Sequence, residues 1–281
     1  MASTMDEAGE LVSVVIPTLN AAGTIETCLA SIRAQTHPAI ELIVVDNWSQ
    51  DGTWEAATDL ADVAVRAGPE RAAQRNIGIQ RAGGDWVLWI DADMELAPEV
   101  VERSLAAAHA GGAAGVFIPE VTVGSGFWTA CRTLERRCYH GEPLIEAPRL
   151  LRTGQLRALG GFSERLAGTE DAALRTRLRA EGTPLVWADT LILHHEGRLT
   201  LGGVARKRFY YGRSIPAYRH AHPGAVSGQA SATLAALWRH RRLLAADPPH
   251  AAGVLLLRAW EAAAYLAGAT AAALAKPRPA S

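Results

Sequence analysis

The sequence predicts an α/β fold in which a largely parallel, Rossmann-like sheet is flanked by helices and followed by a helical C-terminal appendage. Over residues 11–118, short apolar or β-branched runs alternate with segments whose apolar residues recur at helical spacing. This alternation is typical of a parallel sheet with helices on both faces. After Gly202 the pattern is helical and basic to the end of the sequence.

Each strand predicted in the first part is an apolar run bounded by polar or turn-forming residues. The strands cover residues 11–16, 41–46, 62–66, 85–90 and 113–118. We expect Pro17 to end the first strand, since proline has no N–H to donate to a sheet. The helices between the strands cover residues 21–35, 53–60, 69–81 and 98–110, the last two with proline at the start and glycine after the end.

The second part of the chain gives a weaker pattern. One helix is predicted over residues 128–138 and another over residues 170–181, with short strands at 185–187 and 191–194. No repeat or low-complexity linker divides the chain. We therefore predict an N-terminal tail (1–10), one α/β domain (11–215) with a boundary near residue 118, and a C-terminal helical appendage (216–281).

The overall charge excludes a general nucleic-acid binder. The formal net charge is −1, from 28 basic and 29 acidic residues. Residues 1–110 hold 17 acids and 6 bases, whereas residues 111–281 hold 12 acids and 22 bases. Three cysteines without a CxxC pair indicate buried thiols in a reducing compartment. The acidic N-terminus lacks the apolar core of a secretory signal, so we expect a cytoplasmic protein.

Residues 251–274 are apolar apart from Arg258 and Glu261, which lie three apart and could pair on one helix face. These two charges argue against a membrane-spanning helix. A helix that lies on the inner membrane face and one that packs on the domain both fit the pattern. The basic residues 239–242 suit an anionic lipid surface, although they equally suit a solvated helix face.

Polar residues follow three of the predicted strands. Because parallel strands present their carboxyl ends along one edge, these residues should lie together: Thr18 and Asn20, Asp46 and Asn47, and Asp91 and Asp93. Two carboxylates at the spacing of Asp91 and Asp93 can share a divalent cation with a phosphate-bearing ligand. Alternatively, they are solvated loop acids.

Several motifs together resemble those of the family 2 glycosyltransferases, which have the GT-A fold. The matching segments are spread in the family's order over residues 11–197: VVIPTLN (14–20), VVDN (44–47), DGT (51–53), RNIG (75–78), WIDAD (89–93), GGF (160–162) and TED (169–171). The resemblance implies that residues 11–118 bind a nucleotide sugar and that residues 119–215 bind the acceptor.

The resemblance also implies roles for individual residues. It assigns binding of the nucleotide sugar to Pro17, Thr18, Asn20, Asp46, Asn47, Arg71, Arg75, Asn76, Asp91 and Ala92. Asn47 stands where the family often has a second aspartate. The implied metal ligands are Asp93, Asp91 and His194, with His195 as the alternative histidine. Asp171, or else its neighbour Glu170, is the implied base that deprotonates the acceptor.

The reaction implied is a metal-dependent, inverting transfer of a sugar from a nucleotide-diphospho-sugar to a hydroxyl group, with Mg²⁺ or Mn²⁺ as cofactor. UDP is the expected nucleotide, with GDP and TDP as alternatives, and the acceptor could be linked to a lipid or a phosphate. Two other functions stay open. One is a non-catalytic protein that binds sugar nucleotides or docks on membranes. The other is a sugar-1-phosphate nucleotidyltransferase, although the PTLN loop (17–20) lacks that class's glycine-rich, basic sequence.

Overall fold

The computed structural model describes residues 9–274, so residues 1–8 of the predicted tail and 275–281 of the predicted appendage lie outside it. The elements in chain order are β1 Val12–Thr18, α1 Ile25–Arg33, β2 Ile40–Asp46, α2 Thr53–Leu60, β3 Val63–Arg66, α3 Arg71–Arg81, β4 Trp86–Trp89, β5 Met94–Leu96, α4 Val100–Ala110, β6 Gly115–Phe117, β7 Glu120–Gly124, α5 Phe127–Tyr139, β8 Pro148–Arg152, α6 Thr153–Ala158, α7 Glu170–Ala180, β9 Leu185–Trp187, β10 Ile192–Gly197, α8 Leu201–Gly212, α9 Ile215–Ala221, α10 Ala225–Arg239, α11 Arg241–Ala246 and α12 Pro248–Leu274.

The central sheet has seven strands in the order β3-β2-β1-β4-β8-β6-β9. Strand β1 pairs in parallel with β2 and β4, β2 with β3, and β6 with β9, whereas β8 runs antiparallel to β4 and β6. The prediction of a largely parallel sheet flanked by helices is therefore confirmed. A smaller sheet has the order β5-β10-β7.

The prediction that Pro17 ends the first strand was wrong. Strand β1 continues through Pro17 to Thr18, and Pro17 is paired in register with Val45. The backbone N–H and C=O groups of even-numbered residues in β1 face β2; for example, Thr18 O accepts from Asn47 N. Those of odd-numbered residues face β4. The nitrogen of Pro17, which carries no hydrogen, therefore faces the β4 side, where the pairing of β1 with β4 has already ended at Val15. No sheet hydrogen bond is lost there.

Four elements were not predicted: β5, β7, β8 and α6. Strand β8 has the sequence PRLLR, in which a proline and two arginines do not suggest a buried strand, yet its first four residues are buried. Arg149 in this strand is accommodated because its guanidinium packs over Trp89 and pairs with Glu120. These contacts join residues far apart in the sequence, so local periodicity carries no sign of them.

The predicted helical periodicities identify the buried faces well. Helix α1 buries Ile25, Cys28, Leu29 and Ile32, the four residues whose spacing predicted it. Helix α3 packs closely on β1 at Gly78, where an added Cβ would lie 2.3 Å from Val15 Cγ1. All three cysteines are buried and free, as expected.

The chain divides into two compact units. The first contains the residues up to Glu120, then Ala147–Phe162 and Leu178–His195; the second contains Val121–Glu146, Ser163–Arg177 and the residues from Glu196 onward. The units are interleaved along the chain, whereas the predicted domains are consecutive. The domain boundaries given above therefore stay a prediction.

The second unit contains a buried cluster of charges on α5, α8 and α12. Glu261 is only 2% exposed and pairs with Arg132, with Arg208 (Nε to Oε1, 2.7 Å) and with Arg258 (Nη2 to Oε2, 3.0 Å). Glu135, also buried, pairs with Arg132 and Arg258. The expected pairing of Arg258 with Glu261 is confirmed.

None of the helices within residues 9–274 is long and apolar enough to cross a membrane.

This cluster makes stability depend on pH. Burial alone would raise the pKa of Glu261, but Arg208, Arg132 and Arg258 outweigh it and lower that pKa from 4.5 to about 2. A carboxylate whose pKa is lower in the folded state stabilises the fold above its unfolded pKa. The contribution of Glu261 is therefore complete above pH 4.5 and is lost as the pH falls towards 2.

We expect Glu261→Gln to lower the free energy of unfolding at pH 7 by about 3–5 kcal/mol, because three arginines then surround an uncharged side chain. The variant should also lose less stability than the wild type between pH 4.5 and 2. Urea denaturation followed by circular dichroism measures both effects. Glu26→Gln, at an exposed position of α1, is the matched control. Equal stabilities of the two variants would contradict the role of the cluster.

Candidate functional site

The carboxyl ends of β1 and β2 bring the first predicted residues together, as expected from a parallel sheet. Thr18 and Asp46 are paired in register, and Thr18 Oγ1 donates to Asp46 Oδ1 at 2.9 Å. Ser49 donates to the same carboxylate from its backbone N–H (2.9 Å) and its hydroxyl (2.5 Å). Asp46 is fully buried, so its carboxylate orders this loop.

Asn20 and Asn47 form hydrogen bonds that connect the loops at the carboxyl ends of these strands. Asn20 has a φ of 50°, a left-handed conformation that asparagine tolerates, and its Oδ1 accepts from Gln50 N at 3.0 Å. Asn47 Nδ2 donates to Pro69 O at 2.7 Å. Pro17 is buried in β1. The predicted residues thus shape this edge of the sheet, and the large exposed apolar side chains beside them are Leu19 and Trp48.

An aromatic and cationic surface that was not predicted from the sequence is formed by Trp48, Trp54 and Arg66. The Arg66 guanidinium lies 4.4 Å from the ring centre of Trp54 and 5.6 Å from that of Trp48. Trp48 is 60% exposed. The available signal was the position of Arg66 at the end of the predicted third strand, next to the polar residues that follow the second.

Arg75 and Asp91 form a buried ion pair at the end of β4. Arg75 is completely buried, and its Nη2 lies 2.6 Å from Asp91 Oδ1. Arg71, four residues before Arg75 and therefore on the same face of α3, reaches Asp91 Oδ2 at 3.9 Å. Burial by itself would raise the pKa of Asp91, but Arg75, Arg71 and Arg149 outweigh it and hold that pKa well below its usual range. Asp91 is therefore ionised.

Trp89 supports both arginines of this region. The guanidinium carbons of Arg75 and Arg149 lie 4.3 and 4.1 Å from its ring centre. Phe162 meets the same ring edge-on at 5.1 Å, and Trp89 Nε1 donates to Pro148 O at 2.9 Å. Cation–π contacts are strongest where water is excluded, as it is around fully buried Trp89.

Asn76 fastens the GGF segment to α3. Its Nδ2 donates to Phe162 O at 2.9 Å, and its Oδ1 accepts from Phe162 N at 2.8 Å. Gly161 has a φ of 68°, and a Cβ there would lie 2.4 Å from Asn76 Oδ1, so glycine is needed on both grounds. Asn76, predicted to face the donor, uses both ends of its amide to position Phe162.

Asp93 meets His194 next to a second carboxylate. His194 Nε2 lies 3.3 Å from Asp93 Oδ2, and its Nδ1 lies 3.3 Å from Glu120 Oε2. Arg149 binds Glu120 in turn, with Nε 2.8 Å and Nη2 2.5 Å from Oε1. Ala92, between the two aspartates, is buried in the hydrophobic core. His195 points elsewhere and pairs with Glu95 at 2.7 Å.

Asp93 and His194 provide two possible ligands for a divalent cation. Asp93 Oδ1 is shielded from solvent and accepts no hydrogen bond, so a buried carboxylate oxygen is left without a partner beside an imidazole nitrogen. Carboxylate oxygen and imidazole suit Mn²⁺, and the carboxylate suits Mg²⁺. Within residues 9–274, no group of three or more His, Cys, Asp or Glu residues is arranged to hold a metal ion. A cation here would therefore need further ligands from substrate or water.

The predicted base residues begin α7 in the second unit. Glu170 is 1% exposed, whereas Asp171 is half-buried. Thr169 Oγ1 lies 3.4 Å from Ser214 Oγ, and Ser214 Oγ donates to Ala167 O at 2.8 Å, so Ser214, which lies between α8 and α9, holds the segment before the helix. Of the two acids, Asp171 is the more accessible to a ligand.

Comparison with known proteins decides the family. The family model described as glycosyl transferase family 2 matches residues 13–159, which contain β1 to α6 and the Asp91–Asp93 turn. The chain belongs to glycosyl transferase family 2. The motif resemblance seen in the sequence is thereby confirmed.

Relatives in the family match over different lengths. The succinoglycan biosynthesis protein ExoA of Rhizobium meliloti is 28% identical over 261 residues, which cover 80% of this chain and 78% of ExoA. Glycosyltransferase AglE of Haloferax volcanii is 35% identical over 103 residues, and the uncharacterized glycosyltransferase YibD of Escherichia coli is 34% identical over 96 residues. The chain spans only 34% of AglE and 28% of YibD.

Solved structures confirm the GT-A fold of this family member. The mannosyltransferase PcManGT from Pyrobaculum calidifontis, in complex with GDP-Man and Mn²⁺, superposes with a TM-score of 0.63 at 22% identity, covering 95% of this chain and 88% of that one. Residues 1–349 of S. aureus TarS, in complex with UDP-GlcNAc, give a TM-score of 0.55 at 19% identity, covering 73% and 66% of the two chains.

For this glycosyl transferase family 2 chain we expect Asn76→Asp to lower the free energy of unfolding by about 2 kcal/mol, because a carboxylate oxygen would face Phe162 O in place of a donor. Gln80→Glu, an exposed amide-to-acid change on the same helix, is the control and should be close to neutral. Urea denaturation at pH 7 compares the two. If both variants unfold alike, Asn76 does not fasten the GGF segment.

Proposed function

We propose that the protein is a metal-dependent, inverting glycosyltransferase that moves a sugar from a nucleotide-diphospho-sugar to an acceptor hydroxyl. The observation that carries this proposal is the pairing of Asp93 with His194 at the strand-end edge, with Asp93 Oδ1 buried and unpartnered. Membership in the family supports the reaction class.

Asp93 and His194 are the residues that we propose to hold Mg²⁺ or Mn²⁺. When bound, such an ion would neutralise charge on the diphosphate and make it a better leaving group. Asp91 was also predicted as a ligand, but Arg75 already occupies its Oδ1. Any contribution of Asp91 to the ion would therefore fall to Oδ2. Binding of Mn²⁺ by PcManGT supports the choice of cofactor.

The donor is proposed to bind along the edge formed by the ends of β1, β2 and β4. Arg71, whose side chain is 32% exposed, is the cation best placed on α3 to bind a phosphate, since Arg75 is buried against Trp89. The exposed ring of Trp48 offers a flat surface for a nucleotide base. UDP is the first candidate nucleotide, with GDP and TDP next, as the TarS and PcManGT complexes illustrate for UDP-GlcNAc and GDP-Man.

Asp171 is proposed as the base that takes the proton from the acceptor hydroxyl as that oxygen attacks the anomeric carbon. A base must reach the proton it removes, and Asp171 is more exposed than buried Glu170. A single base suffices because the nucleoside diphosphate leaves without protonation. One displacement of this kind inverts the anomeric centre.

We further propose that the protein works at the inner membrane face.

The test is turnover of sugar nucleotides. A thermal-shift panel of UDP, GDP and TDP sugars with Mn²⁺ first identifies the nucleotide, and transfer or hydrolysis is then measured with and without EDTA. We expect activity to require added metal, and Asp93→Ala and Asp171→Asn each to lower kcat by about 100-fold or more. Glu164→Gln, at an exposed position before α7, is the control. Full activity in EDTA or in both site variants would contradict the proposal, and binding without turnover would indicate a non-catalytic protein.

We expect Glu120→Gln to weaken Mn²⁺ binding by about 10- to 100-fold, because with a cation on Nε2 the Nδ1–H of His194 would donate to Glu120, which would fix the ring. Calorimetry with MnCl₂, in the presence of the nucleoside diphosphate found in the panel, measures the affinity. Glu95→Gln beside His195 is a matched control with the same carboxylate–imidazole contact. A loss only in Glu95→Gln would identify His195 as the ligand instead.

A further inference from the structure

Helix α12 presents an exposed face without a single charged side chain. The two charged residues of the helix within Pro248–Leu274, Arg258 and Glu261, both belong to the buried cluster. Beyond the two prolines that begin the helix, the exposed positions are Ala252, Leu255, Leu256, Ala259, Trp260, Ala262, Ala263, Leu266, Ala267, Thr270, Ala271, Ala273 and Leu274. The outer face of a helix in contact with water is normally polar or charged. We call these residues the α12 apolar face.

The α12 apolar face is large and strongly exposed. Leu255, Leu256 and Leu266 are 64%, 63% and 68% exposed. A helix of 27 residues extends over about 40 Å, so the strip is long as well as apolar. Exposed apolar surface of this extent on a protein marks a site of interaction with another apolar surface.

The other side of α12 is fixed to its unit, so the apolar face cannot turn inward. Glu261 is bound by Arg132 and Arg208. At Gly268 the helix approaches α8 so closely that an added Cβ would lie 2.1 Å from Phe209 O. Trp260 Nε1 donates to Leu201 O at 2.9 Å, which anchors the edge of the face. Outward exposure of the strip is therefore a fixed property of the fold.

Cations and an exposed tryptophan precede the helix. Arg241 and Arg242 are exposed at the start of α11, and the Arg241 guanidinium lies 5.2 Å from the ring centre of Trp238, which is 73% exposed. The sequence after α12 continues with Lys276 and Arg278. Basic residues next to an apolar helix face are attracted to anionic lipid headgroups, and tryptophan is favoured at the membrane–water interface.

We infer that the α12 apolar face docks on the surface of a lipid bilayer that carries anionic headgroups. The helix lies in the interface with its leucines towards the acyl chains, since no helix within residues 9–274 can cross a membrane. A protein partner fits less well, because the centres of protein interfaces are enriched in aromatic residues, Met and Arg and depleted of Ala, whereas this strip is mainly Ala and Leu. Docking would give the proposed enzyme access to an acceptor held in the membrane.

The test measures vesicle binding of the full chain and needs no turnover, so its failure is distinct from failure of the proposed function. Wild type should sediment with vesicles of phosphatidylcholine and phosphatidylglycerol, and less with phosphatidylcholine alone. Leu255→Glu with Leu266→Glu should lower partitioning by roughly tenfold or more, since each removes a leucine from the lipid and adds a charge. Arg241→Gln with Arg242→Gln should lower binding to the anionic vesicles only and weaken its salt dependence.

Leu60→Glu, on α2 in the first unit, is the matched control for the leucine changes. Circular dichroism and the melting temperature check that the double variant still folds, as expected for two side chains exposed by more than 60%. The inference is overturned if wild type stays in the supernatant with anionic vesicles, or if the leucine variants bind as well as wild type. It is also overturned if light scattering shows a wild-type dimer that these variants dissociate and that does not bind vesicles, because a second copy then covers the face.

Discussion

The candidate site depends on the neutralisation of one buried cation. Arg75 lies on α3 with no exposure to water, and a charge in that position is costly unless a carboxylate meets it. Asp91 does so at 2.6 Å, directly after β4. This contact fixes Asp91, and Ala92 packs in the core. Asp93, the third residue of the turn, then contacts His194. The same sequence triplet thus supplies one acid that pairs with Arg75 and one that pairs with His194.

Most of the first unit could be predicted from the sequence because its elements are local. Helices such as α1 follow from apolar spacing, and a parallel sheet necessarily gathers Thr18, Asp46 and Asp91 at one edge. Glu120 and Arg149 could not be found in this way. Glu120 contacts Arg149 and His194 across separations of 29 and 74 residues, and neither Glu120 nor Arg149 belongs to a recognisable motif. Only tertiary structure relates them.

Proximity to the site does not mean the same role for each predicted residue. Asp46 and Asn76 use their polar atoms to order the loop after β2 and the GGF segment. Arg71 and Asp171 keep partly exposed side chains. The residues of these motifs therefore differ in exposure: some hold neighbouring segments in place and others keep polar atoms at the surface, a difference that depends on burial and is not visible in a single sequence.

The ring of Trp89 couples parts of the site that are distant in sequence. Arg75 and Arg149 both contact it, and Phe162 meets its edge. Substitutions at residues that share a partner are not independent in their energetic effects. Evolutionary replacement of this tryptophan should therefore be accompanied by changes at one or both arginines, so that correlated variation among relatives would record the shared ring rather than any direct contact between the two cations.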